Sequence, residues 1–166
     1  MKRVLITGMS GTGKSSVIAA LRSRGFRAVD ADEDGYSHLV EVSGDEPTGL
    51  EPGTDWLWRE DRMDALLRSP GDGLLFVGGC APNQGLFRDS FDYVILLSAP
   101  AEVMAERLRT RTTNPYGHDE AEVARSLAMK ELVEPLLRAT ADLEIDTRLP
   151  LDHVVETILR HVDVEG

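Results

Sequence analysis

Eight residues near the start constrain this chain more than anything else in it. Gly8-Met9-Ser10-Gly11-Thr12-Gly13-Lys14-Ser15 matches G-x-x-x-x-G-K-[ST] at every fixed position. The apolar run Arg3–Thr7 stands before it, and Val17, Ile18 and Leu21 share a helical face after it, so the segment reads strand, loop, helix. That context distinguishes a phosphate-binding loop from a Gly-rich turn that merely caps a helix. Glycines let successive backbone N–H groups turn inward around phosphate oxygens, and the helix N-terminus adds its positive dipole end. On this reading Gly8, Ser10, Gly11, Thr12, Gly13, Lys14, Ser15 and Ser16 surround the phosphates of a nucleotide. Lys14 reaches the β- and γ-phosphates, and the Ser15 hydroxyl binds Mg²⁺. Lysine is scarce in the chain, occurring at Lys2, Lys14 and Lys130, so its presence at this position carries weight.

Four further runs of strand length follow, at Gly25–Asp30, Leu74–Gly78, Phe91–Leu97 and Leu143–Asp146. Between and after them lie helical patterns: Val103, Met104 and Leu108; the segment Glu120–Arg138; and Val154, Val155, Ile158, Leu159 and Val162. Strands alternating with helices predict an α/β protein with the three-layer P-loop NTPase fold, a five-stranded, mostly parallel sheet with helices on both faces. A length of 166 residues suits a single domain spanning 1–166, with a binding insert at about 33–70 and a lid at about 109–120. Glu41–Asp55 and Thr112–Asp119 break the periodicity and read as loops, and Trp56–Leu67 reads as a helix.

Eighteen Lys+Arg against 29 Asp+Glu give a net charge of -11, which argues against a broad basic surface for nucleic acid or anionic lipid. Any anion must be held by a local site. The single cysteine, Cys80, excludes an internal disulfide, and no signal-peptide core or membrane-length apolar run is present. A soluble cytoplasmic protein is expected, as a monomer with a dimer the alternative. His38, His118, His153 and His161 show no metal-ligand spacing, and no histidine is placed to activate Cys80 as a nucleophile.

Asp30-Ala31-Asp32 ends the second strand, where two carboxylates face the crevice in which parallel sheets bind ligands; Asp34 is an alternative to Asp32. Trp58-Arg59 offers a guanidinium fork suited to a carboxylate, and Trp56 and Trp58 are either core or a stacking wall. Gly78-Gly79-Cys80 ends the third strand, with Asn83 and Gln84 following as candidates for hydroxyl recognition. Leu108–Gly117 carries Arg109 and Arg111, and Pro135-Leu136-Leu137-Arg138 precedes Asp146-Thr147.

On these motifs, in this order, the chain resembles the shikimate kinase branch of small P-loop kinases, related to gluconate and nucleoside monophosphate kinases. The resemblance implies ATP-dependent transfer of the γ-phosphoryl group to a hydroxyl of a small, anionic metabolite, with ATP and Mg²⁺ as cofactors. It implies that Asp30 holds the Mg²⁺ shell and Asp32 contacts the acceptor hydroxyl. Gly78, Gly79 and Cys80 let the substrate approach, while Arg59 and Arg138 bind its carboxylate. Arg109 and Arg111 stabilise the transferred phosphoryl group, and Asp146 and Thr147 border the adenine. The chain departs from the family pattern at Arg62, Cys80 and Leu137, and lacks the family's second lid arginine within Thr112–Asp119. A nucleoside or nucleotide kinase, an antibiotic-modifying phosphotransferase and a nucleotide-dependent regulatory protein are the alternatives. No Asn-Lys-x-Asp guanine motif is present.

Overall fold

Val4 and Ile6 are fully buried and Leu5 nearly so, although they point to opposite faces of one strand. A strand apolar on both faces must be covered on both, and this one lies in the middle of the molecule. The computed structural model describes residues 1–45, 48, 50, 53–111 and 117–162. In chain order the elements are β1 Lys2–Thr7, α1 Lys14–Ser23, β2 Arg27–Asp30, β3 Ser37–Glu41, β4 Thr54–Trp58, α2 Glu60–Arg68 and β5 Leu74–Gly78. A 3₁₀ helix at Gln84–Ser90 follows, then β6 Tyr93–Ser98, α3 Ala101–Thr110, α4 Glu120–Thr140, β7 Leu143–Asp146 and α5 Leu151–Val162.

Five strands form one sheet in the order β2-β5-β1-β6-β7, and every neighbouring pair is parallel. Val17, Ile18 and Leu21 of α1 and Val154, Val155, Ile158 and Val162 of α5 cover one face, against Val4, Ile6, Phe76, Ile95 and Leu97. On the other face, Met63, Leu66 and Leu67 of α2 pack with Trp58, Phe87 and Phe91 over Leu5, Leu75, Val77 and Val94. Met104 of α3 and Leu137 of α4 cover Leu96 beside them. The fold is the expected three-layer one. Among the described residues no helix is long and apolar enough to cross a membrane.

The region after β2 departs from the sequence reading. Trp56–Trp58 belongs to a strand, not a helix: β3 and β4 form an antiparallel hairpin in which Leu39 faces Trp56 and Ser37 faces Trp58. The two tryptophans lie on the same hairpin face, yet Trp58 is 1% exposed in the core while Trp56 is 36% exposed further along it. The helix starts only at Glu60, where Glu60 and Asp61 complement the positive end of its dipole. The loop expected over Thr112–Asp119 falls largely outside the described residues.

Register places Asp30 of β2, Gly78 of β5 and Ile6 of β1 side by side at one edge of the sheet. Gly78 is needed there for packing. A Cβ on it would lie 2.6 Å from Ile18 Cγ1, so the glycine lets α1 press against the sheet directly behind the phosphate loop. Gly78→Ala should destabilise the protein by about 1–3 kcal/mol in urea unfolding, and Ile18→Ala in the same chain should cost less than the sum of the two single changes.

Candidate active site

β1 ends at Thr7 and the chain turns over three glycines before α1 begins. Gly8 has φ +152°, and a Cβ there would stand 2.4 Å from the Leu97 carbonyl oxygen; at Gly11, φ +84°, it would stand 3.0 Å from that of Met104. Gly13 precedes α1 with φ +100° and supplies no side-chain cap, leaving the first backbone N–H groups of the helix to an anion. Thr12 is fully buried and its hydroxyl donates to the Met9 carbonyl at 2.7 Å, so its side chain shapes the loop from within. Lys14 Nζ folds back over the same loop, donating to the carbonyls of Gly8 at 2.7 Å and Met9 at 2.9 Å. The surrounding protein pushes the Lys14 pKa down, against the opposing pull of Cys80, Asp32 and Asp30.

Asp30 joins this loop to the end of β2. One carboxylate oxygen accepts from the Ser15 hydroxyl at 2.7 Å; the other accepts from the backbone N–H groups of Asp32 at 3.0 Å and Glu33 at 3.3 Å. The pair fits Mg²⁺, which favours hard oxygen ligands and binds through one or two protein groups plus substrate phosphates. Among the described residues no cluster of three or more His, Cys, Asp or Glu could hold a metal ion. The turn separates the remaining acids. Asp34 accepts from the Asp30 N–H at 2.8 Å and pairs with Arg22, while Asp32 faces the cleft with Lys14 and Arg111 near it. Asp32 is open to solvent at its outer side, yet the cleft walls desolvate it enough to push its pKa up; Lys14 pulls it down, Asp30 pushes it up, and the Trp56 indole N–H and Arg111 pull it down.

The cleft, open to solvent, measures about 1880 Å³ and is lined by the phosphate loop, Asp32 and α4. Arg107 and Arg111 line it, and Arg109 does not. Arg109 instead makes a two-pronged, exposed ion pair with Glu120, at 2.7 and 2.9 Å, which corrects its assignment to the transferred phosphate. Helical period gives the reason: positions 107 and 111 share the α3 face of Met104 and Leu108, which pack over Gly11, whereas 109 projects from the opposite side. Arg107 is a residue sequence reasoning missed. Its guanidinium donates to the Thr147 hydroxyl at 2.8 Å, the Thr147 carbonyl at 2.7 Å and the Gly11 carbonyl at 3.3 Å, tying the phosphate loop to the loop after β7. Thr147 lines the cleft, while Asp146 pairs with Arg148 at 2.7 Å.

The acceptor half differs more from expectation. Arg59 and Arg138 do not share a wall opposite the phosphate loop; neither lines the cleft. Arg138 is held by Glu144 at 2.7 Å and Glu134 at 3.0 Å, because it shares a stripe of α4 with Lys130 and Glu134 that faces away from the cleft. Arg59 precedes α2, with its backbone N–H donating to the Tyr36 carbonyl at 2.6 Å and its Nε buried without a hydrogen-bond partner. Gly78 and Gly79 are packing glycines: a Cβ on Gly79 would stand 3.0 Å from Ala31 Cβ and 3.2 Å from Trp58 Nε1. Of that triplet only Cys80 reaches the cleft, with its thiol pKa pushed up by burial. Asn83 is consumed by the hairpin, accepting from the Trp58 N–H at 3.1 Å and donating to the Trp58 carbonyl at 2.9 Å. Gln84 accepts from the Ala81 N–H at 2.9 Å and donates to Thr7 at 3.2 Å. Trp56 is the tryptophan that lines the cleft.

Two arginines of similar sequence context therefore predict opposite outcomes. Arg107→Ala should weaken nucleotide binding about tenfold, and Arg109→Ala should change it less than about twofold, as measured by titration with a fluorescent ATP analogue.

Comparison with known proteins agrees with this geometry. The family model described as AAA domain matches residues 4–128. A shikimate kinase of Geobacter metallireducens is 32% identical over 154 residues, covering 89% of this chain and 83% of that one. A nucleotide-binding protein of Acidiphilium cryptum is 28% identical over 151 residues, covering 88% of this chain and 44% of that one. Among solved structures, the shikimate kinase from Acinetobacter baumannii in complex with shikimate superposes with a TM-score of 0.63 at 18% identity, covering 100% of this chain and 95% of that one. The phosphate loop, the parallel sheet and these relatives together place the chain in the AAA-domain family of P-loop proteins, among its shikimate kinase-like small kinases.

Proposed function

We propose that the protein transfers the γ-phosphoryl group of ATP to a hydroxyl of a small molecule. One observation carries this reading: Lys14, Ser15, Asp32 and Arg111 line a single cleft, with Asp30 directly behind Ser15. A binding protein needs the loop; it has no need for a second carboxylate beside the metal pair and facing the phosphates.

Ser15 and Asp30 would hold Mg²⁺, which supplies charge neutralisation on the β- and γ-phosphate oxygens. Lys14 turns from the Gly8 and Met9 carbonyls to those oxygens, exchanging two neutral acceptors for anionic ones. Arg107 and Thr147 sit where the nucleobase end would lie. The acceptor oxygen forms a bond to the γ-phosphorus, the bond to the bridging oxygen breaks, ADP leaves, and Asp32 takes the hydroxyl proton. Little covalent work falls to the protein in such a loose transition state, so positioning and charge stabilisation by Lys14 and Arg111 dominate.

Lys14→Ala should abolish transfer while leaving the protein folded, since the hydrogen bonds of its ammonium go to the carbonyls of its own loop. Retained turnover, followed by ADP release, would sink the assignment. Asp32 gives a pH signature. Its carboxylate must be ionised to accept the proton, and its pKa is raised, so kcat should fall with acidification at a pH above the ordinary aspartate value of about 3.9. Asp32→Asn should lower kcat by about two orders of magnitude and remove that acid limb.

A further inference from the structure

The cleft is larger than a nucleotide site requires. Its volume, about 1880 Å³, exceeds the roughly 300–1,000 Å³ of an ordinary small-molecule pocket. Part of its wall is a stripe of α4, in which Met129, Leu132, Val133, Leu136 and Leu137 recur at i, i+3, i+4, i+7 and i+8. Leu137 is buried against the sheet, but Leu132 is 53% and Leu136 68% exposed, so the outer edge of the stripe is apolar and uncovered. Among the described residues, the further arginines that line the cleft are engaged by protein groups: Arg88 pairs with Asp142 at 3.6 Å, Arg148 with Asp146 at 2.7 Å, and Arg107 holds Thr147. Arg138 points away into its pairs with Glu134 and Glu144, and the carboxylates of Asp32, Glu33 and Asp55 line the cleft. The cations next to Asp32 are Lys14 and Arg111, on the side of the phosphates. Trp56, on the β3–β4 hairpin, presents a large apolar ring, 36% exposed, to the same cleft as Asp32.

We infer that the acceptor is an uncharged alcohol with a bulky apolar body, its hydroxyl on Asp32, its body stacked on Trp56 and laid along the α4 stripe. The inference rests on the phosphotransfer reading for the hydroxyl, but the binding preference stands apart from turnover. Its exposed ring in the cleft makes Trp56 a specificity residue and a reporter.

Shikimate, its methyl ester and its benzyl ester offer the same hydroxyls; the first is an anion, both esters are neutral, and the benzyl ester adds the larger apolar area. Each is titrated into the full chain with Mg²⁺ and a non-hydrolysable ATP analogue while tryptophan fluorescence is followed, and ADP release is measured separately with ATP. The benzyl ester should bind about tenfold or more tightly than the acid, with the methyl ester between them. The signal should vanish in Trp56→Phe, and Leu136→Lys should weaken the benzyl ester about tenfold, with nucleotide binding as the control for folding. Acid bound as tightly as either ester, above all if Arg59→Ala then abolishes its binding, overturns the inference. So does the absence of any response to the esters, or a dimer that Leu136→Lys dissociates without an ester signal. Esters that bind as expected but release no ADP above the acceptor-free rate leave the binding class standing and overturn the kinase reading instead.

Discussion

The Asp30 carboxylate is the contact on which the site depends. It ties the first turn of α1 to the end of β2 through Ser15, and it folds the next three residues by accepting from two of their N–H groups. Asp34 completes the turn by returning to the Asp30 N–H, anchored by Arg22, whose Nε also donates to the Ala28 carbonyl at 2.8 Å. A short acidic stretch on a chain of net charge -11 would otherwise repel itself into an extended form. Distributing the carboxylates of Asp30 and Asp34 among a hydroxyl, backbone donors and an arginine leaves Asp32 and Glu33 turned toward the cleft.

Much of the nucleotide half was legible in the sequence because it is local. The strand, loop and helix of residues 3–21 follow from one motif and two periodicities, and Ser15 and Asp30 meet because β1 and β2, parallel with β5 between them, end at the same edge of the sheet. The five sheet strands were legible as buried apolar runs. The hairpin was not, since its strands are joined across a long interval and one face passes from core at Trp58 to cleft at Trp56, so no clean alternation survives. Arg109 was chosen over Arg107 by resemblance to a motif, although counting the helix forward from Met104 distinguishes them. Arg138 illustrates the converse: an arginine four residues after Glu134 on a helix has a partner close by, and that partner claimed it. Gly78 and Gly79 looked like room for a ligand and proved to be room for Ile18 and Trp58, a distinction only packing reveals.

The two halves of the cleft are held by different physics. The phosphate loop is fixed by glycine backbone and carbonyl contacts, which tolerate little variation. The acceptor wall is fixed by side chains that reach between distant segments, chiefly Asn83 clasping both backbone groups of Trp58. Such a clasp fixes where the hairpin sits without dictating what its outer residues are. Substitution at Trp56, Leu39 or the α4 stripe can therefore alter the acceptor while Lys14, Ser15 and Asp30 keep their places.

The strand order sets when the site can come into being. β1, which launches the phosphate loop, is paired on its two sides by β5 and β6, residues 74–78 and 93–98. Nothing within the first seventy residues can supply either neighbour. As the chain leaves the ribosome, the loop motif emerges early yet has no sheet to stand on until β6 has followed it out. Long-range parallel pairing of this kind closes slowly. Gly8 makes the dependence sharper, since its tight fit is against the carbonyl of Leu97, near the end of β6. The segment most recognisable in the gene is thus among the last to acquire its shape in the protein.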